Sequence, residues 1–200
     1  MMVRRGIDIA VAIMGGLLAL PLFVLLAIAV AISMGRPILF IQPRSGMHGT
    51  AFALIKFRTM RELHGPDGVL LDDAARTTRL GRFLRRSRLD ELPSLWNILV
   101  GDMALIGPRP LLPVTVAAFG AGGVARGAVR PGLTGWAQIN GNSLLQDGDK
   151  LALDLWYIQH ASFALDLQIL VRTIGMVLLG EKVNRRWMGR AYANGPDRRG

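Results

Sequence analysis

The stretch IAVAIMGGLLALPLFVLLAIAVAISMG, Ile9 to Gly35, decides the architecture, because it is a run of 27 uncharged positions between Asp8 and Arg36. As a straight helix it is about 40 Å long at about 1.5 Å per residue, against a bilayer hydrocarbon core of about 30 Å. It is too long for the apolar part of a signal peptide, and no small-residue cleavage site follows it. Pro21 stands near its middle, where a proline removes a hydrogen bond and kinks or breaks a helix. Arg4 and Arg5 precede the run and Arg36 and Arg44 follow it. Basic flanks prefer the cytoplasmic side, so both ends are drawn the same way. Two geometries remain open: a kinked spanning anchor, and a helix that enters, bends at Pro21 and returns to the same face.

The whole chain has 200 residues, is 51% hydrophobic with a mean hydropathy of +0.35, and carries a net charge of +10. Such hydrophobicity excludes a disordered chain, and the absence of further long apolar runs argues against a polytopic membrane protein. There is no cysteine, which excludes disulfides, thiolate metal sites and a cysteine nucleophile. His48, His64 and His160 are too scattered to suggest a histidine metal cluster. Of 24 cationic residues, 21 are arginine, whose rigid fork fits phosphate oxygens in pairs. The basic balance points to nucleic acid, anionic lipid or a phosphorylated small molecule.

Beyond the apolar run the pattern predicts an α+β, mostly helical domain. Extended runs Pro37–Gln42 and Ala51–Phe57 around Arg44-Ser45-Gly46 read as a β-hairpin. Gly65-Pro66-Asp67-Gly68 is a loop, and helical signals run from Ala74 to Ser87. Pro93 fits only the first turn of a helix. That helix would present Leu92, Leu95, Trp96 and Leu99 as an apolar stripe, with Asp90 and Glu91 at its N-terminus. Gly107-Pro108-Arg109-Pro110 is stiff and extended, residues 111–127 suggest a short surface helix, and Arg130 to Trp136 is a turn leading to another extended run. Helices are expected at 150–160 and 163–180, the second either core or lying in a membrane interface. The tail from Lys182 carries six basic residues and Trp187, which suits an anionic lipid surface or a solvated end.

The common nucleotide-binding glycine motifs are missing. Asp147-Gly148-Asp149 matches an Asp-x-Asp metal motif, but without surrounding βαβ units it reads as a turn. Asp90-Glu91 alone would suit helix capping. Its neighbours change the reading: Arg82, Arg85, Arg86 and Arg88 lie just upstream, and Arg109 lies downstream between two prolines. Paired carboxylates among arginines suit phosphate chemistry. Arg85, Arg88, Arg109 and Lys56 would clamp phosphates, carboxylate oxygens would hold a divalent cation, and a carboxylate could attack phosphorus to give an acyl phosphate.

The chain resembles the monotopic phosphoglycosyl transferases, the bacterial sugar transferase family. The likeness rests on Lys56-Phe57-Arg58-Thr59-Met60, Leu89-Asp90-Glu91-Leu92-Pro93, Gly101-Asp102-Met103 through Pro108-Arg109-Pro110, and Arg130-Pro131-Gly132-Leu133-Thr134-Gly135-Trp136-Ala137-Gln138-Ile139-Asn140-Gly141. It continues through Leu153-Asp154-Leu155-Trp156-Tyr157 and Leu165-Asp166-Leu167.

The resemblance implies transfer of a sugar-1-phosphate from a UDP-sugar to polyprenyl (undecaprenyl) phosphate, with release of UMP. This would be the first membrane step of polysaccharide or glycoconjugate assembly, on the cytoplasmic face of the bacterial inner membrane. Asp90 would be the nucleophile, Glu91 with Asp90 would hold Mg²⁺, and Lys56, Arg58, Arg85, Arg88, Pro108, Arg109, Pro110, Arg130 and Gln138 would serve the substrates. The expected organisation is a re-entrant anchor over 1–35 bent at Pro21, a catalytic domain over 36–182 with a hairpin and interfacial amphipathic helices, and a basic tail over 183–200. The partners implied are the UDP-sugar, the polyprenyl phosphate and inner-membrane lipid, without nucleic acid. Two departures stand out: Leu20 precedes Pro21 where many members have Ser, and Asn142 stands where the family often has Arg. Arg130 or Arg126 could take over that arginine's role. The competing reading is a non-catalytic, basic, membrane-anchored protein that binds anionic lipid or nucleic acid.

Overall fold

The computed structural model of the protein describes residues 2–193. The chain divides into two compact units, Met1–Gln42 with Leu54–Leu99 and Pro43–Ala53 with Val100–Gly200. It is mostly helical, with a small amount of sheet.

The first unit begins with α1, Met2–Met34, a single helix that continues through Pro21. Leu26, Val30 and Met34 on one side of its later turns are buried with Phe57 and Leu84. Most of its other apolar side chains, among them Leu17, Leu18, Leu25 and Ile32, are exposed. Both ends of α1 are tied to this same unit. The Arg5 guanidinium donates to the carbonyls of Ile98 and Leu99 at 2.6 and 2.9 Å. At the other end, Arg61 donates twice to the Ser33 carbonyl, at 3.0 and 2.7 Å.

Strands β1 (Leu39–Ser45) and β2 (Ala51–Phe57) pair as the expected hairpin. β1 is shifted toward its tip, so that the reversal is made by a 3-10 turn at Met47–Gly49 rather than at Arg44-Ser45-Gly46. The helix expected over 74–87 is two helices, α2 (Asp73–Arg76) and α3 (Arg79–Ser87). Thr77 and Thr78 interrupt it in extended conformation, and the Thr78 side chain accepts from the Gly81 N–H to start α3.

The expected helix after Pro93 is also revised. Leu89–Ser94 is a 3-10 helix, and α4 covers only Leu95–Val100. The phase changes with it: Trp96 is 59% exposed, while Ser94, Asn97 and Ile98 are buried. Those two polar side chains are satisfied by β2, which is why that face can turn inward. Ser94 Oγ donates to the Ile55 carbonyl at 2.7 Å, and Asn97 Oδ1 accepts the Ile55 N–H at 3.1 Å.

In the second unit, β3 (Ala104–Ile106) pairs in parallel with β4 (Gly132–Thr134), Ala104 facing Gly132 and Ile106 facing Thr134. Two short helices, α5 (Pro113–Ala118) and α6 (Ala121–Arg126), replace the single one expected, broken at Gly120 with φ 53°. The extended run expected after Trp136 is instead the short helix α7, Trp136–Ile139; the extended residues are those of β4. Helices α8 (Asp147–His160) and α9 (Phe163–Leu179) fall where the pattern placed them. Asp147-Gly148-Asp149 is the first turn of α8, closed by a capping box between Gln146 and Asp149, and not a free-standing turn. The second core gathers Trp136, Leu145, Leu153, Tyr157 and Ile169. Trp156 stacks on Trp136, and Trp187 meets Trp136 edge-on. The start of the basic tail is therefore structured: α10, Arg185–Ala193, brings Trp187, Met188 and Ala191 to this core. The rest of that tail lies outside the described residues.

Candidate active site

Asp90 and Glu91 are 8% and 6% exposed, on the 3-10 helix that leaves α3. The junction is Arg88, in the left-handed region at φ 60°, a conformation that costs a non-glycine residue on the order of 1 kcal/mol. It turns the chain sharply out of α3 and into the Asp-Glu turn. The guanidinium of Arg88 lies 3.4 Å from Glu91 Oε1, and Lys56 Nζ donates to the same oxygen at 2.8 Å. All four charged side chains are partly or largely withdrawn from solvent, where charges interact more strongly than at a surface.

Lys56 reaches Glu91 because its strand is fixed beside α4. Ser94 and Asn97 hold Ile55 by its carbonyl and its N–H, which sets the position of the next residue. Sequence reasoning missed both side chains. Their only signal was polar character opposite a stripe assumed to face inward.

The other expected residues of the first unit separate. Arg85 Nε donates to Thr59 Oγ1 at 2.9 Å, so it is steered by the Lys-Phe-Arg-Thr-Met stretch. Arg58 is used structurally, donating to the carbonyls of Met60 and Arg36 and lying 3.7 Å from Glu62.

Pro108, Arg109, Pro110, Arg130 and Gln138 belong to the second unit. The two glycines of Pro131-Gly132-Leu133-Thr134-Gly135 have a steric reason: a Cβ at Gly132 would come within 2.0 Å of the Gly107 nitrogen, and one at Gly135 within 2.0 Å of the Gly107 oxygen. They let β4 lie against the start of Gly107-Pro108-Arg109-Pro110. The Arg109 carbonyl accepts from Arg126 Nη2. Arg126 is 5% exposed, and its Nε pairs with Asp154 at 2.8 Å. Burial pushes the Asp154 carboxyl up, against the pull of Arg126 and then Lys150. Burial and then the nearby Arg109 charge lower the Arg44 guanidinium.

Arg126 is thus held inside the protein by Asp154 and the Arg109 carbonyl. Arg130 donates Nε to the Gly101 carbonyl. Asn142 itself, in the left-handed region at φ 46°, is held by Glu181, which also binds Ser143. Arg109, Arg126, Gln138, Asn142, Lys150 and Asp154 are among the residues that line a small, partly open cavity of about 10 Å³, room for about one water molecule. Neither amide atom of Gln138 has a hydrogen-bond partner among the described residues.

The arrangement is a buried Asp90-Glu91 pair whose Glu91 Oε1 is met by both Lys56 and Arg88. The class follows from comparison of the whole sequence: residues 1–180 match the family model of the bacterial sugar transferases, and the chain belongs to that family. Among similar proteins, the uncharacterized sugar transferase EpsL of Bacillus subtilis is 42% identical over 186 residues, 92% of each chain. A UDP-glucose:undecaprenyl-phosphate glucose-1-phosphate transferase of Caulobacter vibrioides is 40% identical over 88% of this chain and 69% of its own length. An undecaprenyl-phosphate glucose phosphotransferase of Komagataeibacter xylinus is also 40% identical, over 87% of this chain, but this chain spans only 35% of it.

Proposed function

We propose that the protein transfers a sugar-1-phosphate from a UDP-sugar to undecaprenyl phosphate through a covalent intermediate on Asp90. The observation that carries this reading is the Asp90-Glu91 turn, buried and faced by Lys56 and Arg88, in a chain of this family. Asp90 attacks the sugar-bearing phosphorus, an acyl phosphate forms, and the anhydride bond to the nucleotide breaks to release UMP. A phosphate oxygen of the lipid acceptor then attacks the same phosphorus. The aspartyl–phosphorus bond breaks, the Asp90 carboxylate is restored and the polyprenyl diphosphate sugar leaves. Splitting the reaction in two lets one small site serve a soluble donor and a lipid acceptor in turn.

Lys56 and Arg88 hold Glu91 in place and supply positive charge beside the incoming phosphates. The described residues contain no group of three or more metal-ligating side chains. Two hard carboxylates suffice for Mg²⁺, which is commonly held by one or two carboxylates together with substrate phosphates. Glu91 with Asp90 would hold it, and when bound it supplies neutralisation of the diphosphate charge.

We place the protein at the cytoplasmic face of the inner membrane, with α1 dipping into the bilayer and returning at a bend near Pro21. Two features support this path: the exposed apolar surface of α1, and the tethering of both its ends to one unit through Arg5 and Arg61. A helix crossing the bilayer would separate those ends. The outward stripe Phe163, Leu167, Leu170, Val171, Ile174 and Leu178 of α9 suits the interface as well. The test is a UMP-release screen of the purified protein over a panel of UDP-sugars with and without undecaprenyl phosphate. One donor should release UMP with accumulation of lipid-linked sugar phosphate; release of UDP or of free sugar would contradict the reading.

A further inference from the structure

We infer that the outer face of α3 is a second phosphate-binding surface, one that takes the anionic headgroups of bilayer phospholipids rather than the reacting substrates. The inference rests on the membrane reading of α1 given above. Arg79, Arg82, Phe83 and Arg86 are all exposed, whereas Gly81 and Leu84 are buried. At 3.6 residues per turn the four exposed residues fall on an arc of about 100°, opposite Leu84. The sequence of α3, RLGRFLRRS, has no acidic residue, and none of the three arginines on that arc makes an ion pair among the described residues. Between them Phe83 is 56% exposed. A solvated basic face has no use for an exposed aromatic ring at its centre, but a lipid surface does: guanidinium groups meet phosphate oxygens while the ring reaches the apolar boundary.

The position of α3 fits that partner. Leu84, on its inner face, shares a cluster with Leu26, Val30 and Met34 of α1, and Arg61 holds the Ser33 carbonyl. Helix α3 therefore flanks the end of α1, where the apolar run gives way to Gly35 and Arg36. The arginines assigned to the reaction lie apart from this arc: Arg85 is turned to Thr59, and Arg88 to Glu91.

The chain has no cysteine, so Phe83→Cys gives a single labelling site for a fluorophore in the full-length protein. The labelled protein is reconstituted into phosphatidylcholine vesicles, with or without phosphatidylglycerol, that contain a lipid bearing a headgroup nitroxide. Quenching should be markedly stronger with phosphatidylglycerol. It should fall to the neutral-vesicle level when Arg79, Arg82 and Arg86 are changed to Gln, because each arginine near an anionic surface contributes about fivefold to the preference. It should also fall near 1 M salt, where the screening length is about 3 Å. Turnover of the triple variant in detergent, at saturating substrates, should match the parent and shows that the fold is intact. A label that stays unquenched in anionic vesicles with which the protein co-floats would overturn the inference and leave the membrane reading standing. Failure to float with neutral vesicles would overturn both. A triple variant whose KM for the UDP-sugar rises equally in both vesicle types would assign the face to the donor and overturn the lipid assignment.

Discussion

Gly81 shows how closely the α3 backbone approaches the stretch that follows β2: a Cβ there would stand 1.8 Å from the Thr59 carbonyl oxygen. Helix propensity alone favours alanine by about 1 kcal/mol, but the contact is with backbone and cannot swing aside. Gly81→Ala should destabilise the protein by about 1–3 kcal/mol, as overpacked cores do, read as a lower unfolding midpoint. A midpoint that is unchanged or raised would show that the helix can move. Lys56 and Asp154 are residues of a different kind. Lys56→Met removes a cation that Glu91 is paired with, and kcat should fall on the order of 10²-fold, the scale seen when one charge-stabilising group is removed. Asp154→Ala strands the buried Arg126 and should cost about 3–5 kcal/mol, whereas replacing both partners with apolar residues should cost far less. Equal losses in the single and double variants would mean that the pair does not matter as a pair.

At the scale of elements, α10 is latched to α8 by Tyr192, whose hydroxyl donates to Asp149 at 2.6 Å. That hydrogen bond, then burial and the Asp149 charge, push the Tyr192 hydroxyl from its ordinary 10 up to about 12. A pKa raised on folding gives stability that is complete below about pH 10 and lost between about 10 and 12. A tyrosinate absorbance titration should therefore show a component near 12 that disappears in Tyr192→Phe; titration of Tyr192 near 10 would contradict the latch. The elements also show what a sequence can and cannot reveal. Long amphipathic or apolar segments such as α1, α8 and α9 were legible because their hydrophobic pattern alone sets them. The split at Thr77 and Thr78 was not, since it turns on a local Thr78 cap and a bridge from Thr77 to Met60; the 3-10 turn at Asp90 and α7 after Trp136 were not, since each packs on partners some tens of residues away. The Asp-Glu pair and Lys56 stood out in the sequence by residue type. That both cations use one Glu91 oxygen, and that Ser94 and Asn97 place Lys56, emerged only once β2 and α4 were seen side by side.

At the scale of the whole molecule, a chain this apolar and this basic suits the function proposed above, where a soluble nucleotide sugar meets a lipid phosphate. Single cysteines placed at Val3 and at Gly35 should be modified equally by a membrane-impermeant reagent from the cytoplasmic side; protection of one end only would show that α1 crosses the bilayer. The central claim is the covalent intermediate on Asp90, and it can be seen directly. The purified protein is incubated with its UDP-sugar in the absence of undecaprenyl phosphate, and its intact mass is measured before and after addition of the acceptor. The expected result is an increase equal to one sugar phosphate, located on Asp90, discharged by the acceptor and missing in Asp90→Asn. An Asp90→Asn variant that turns over at the normal rate, or an adduct on any other residue, would contradict it.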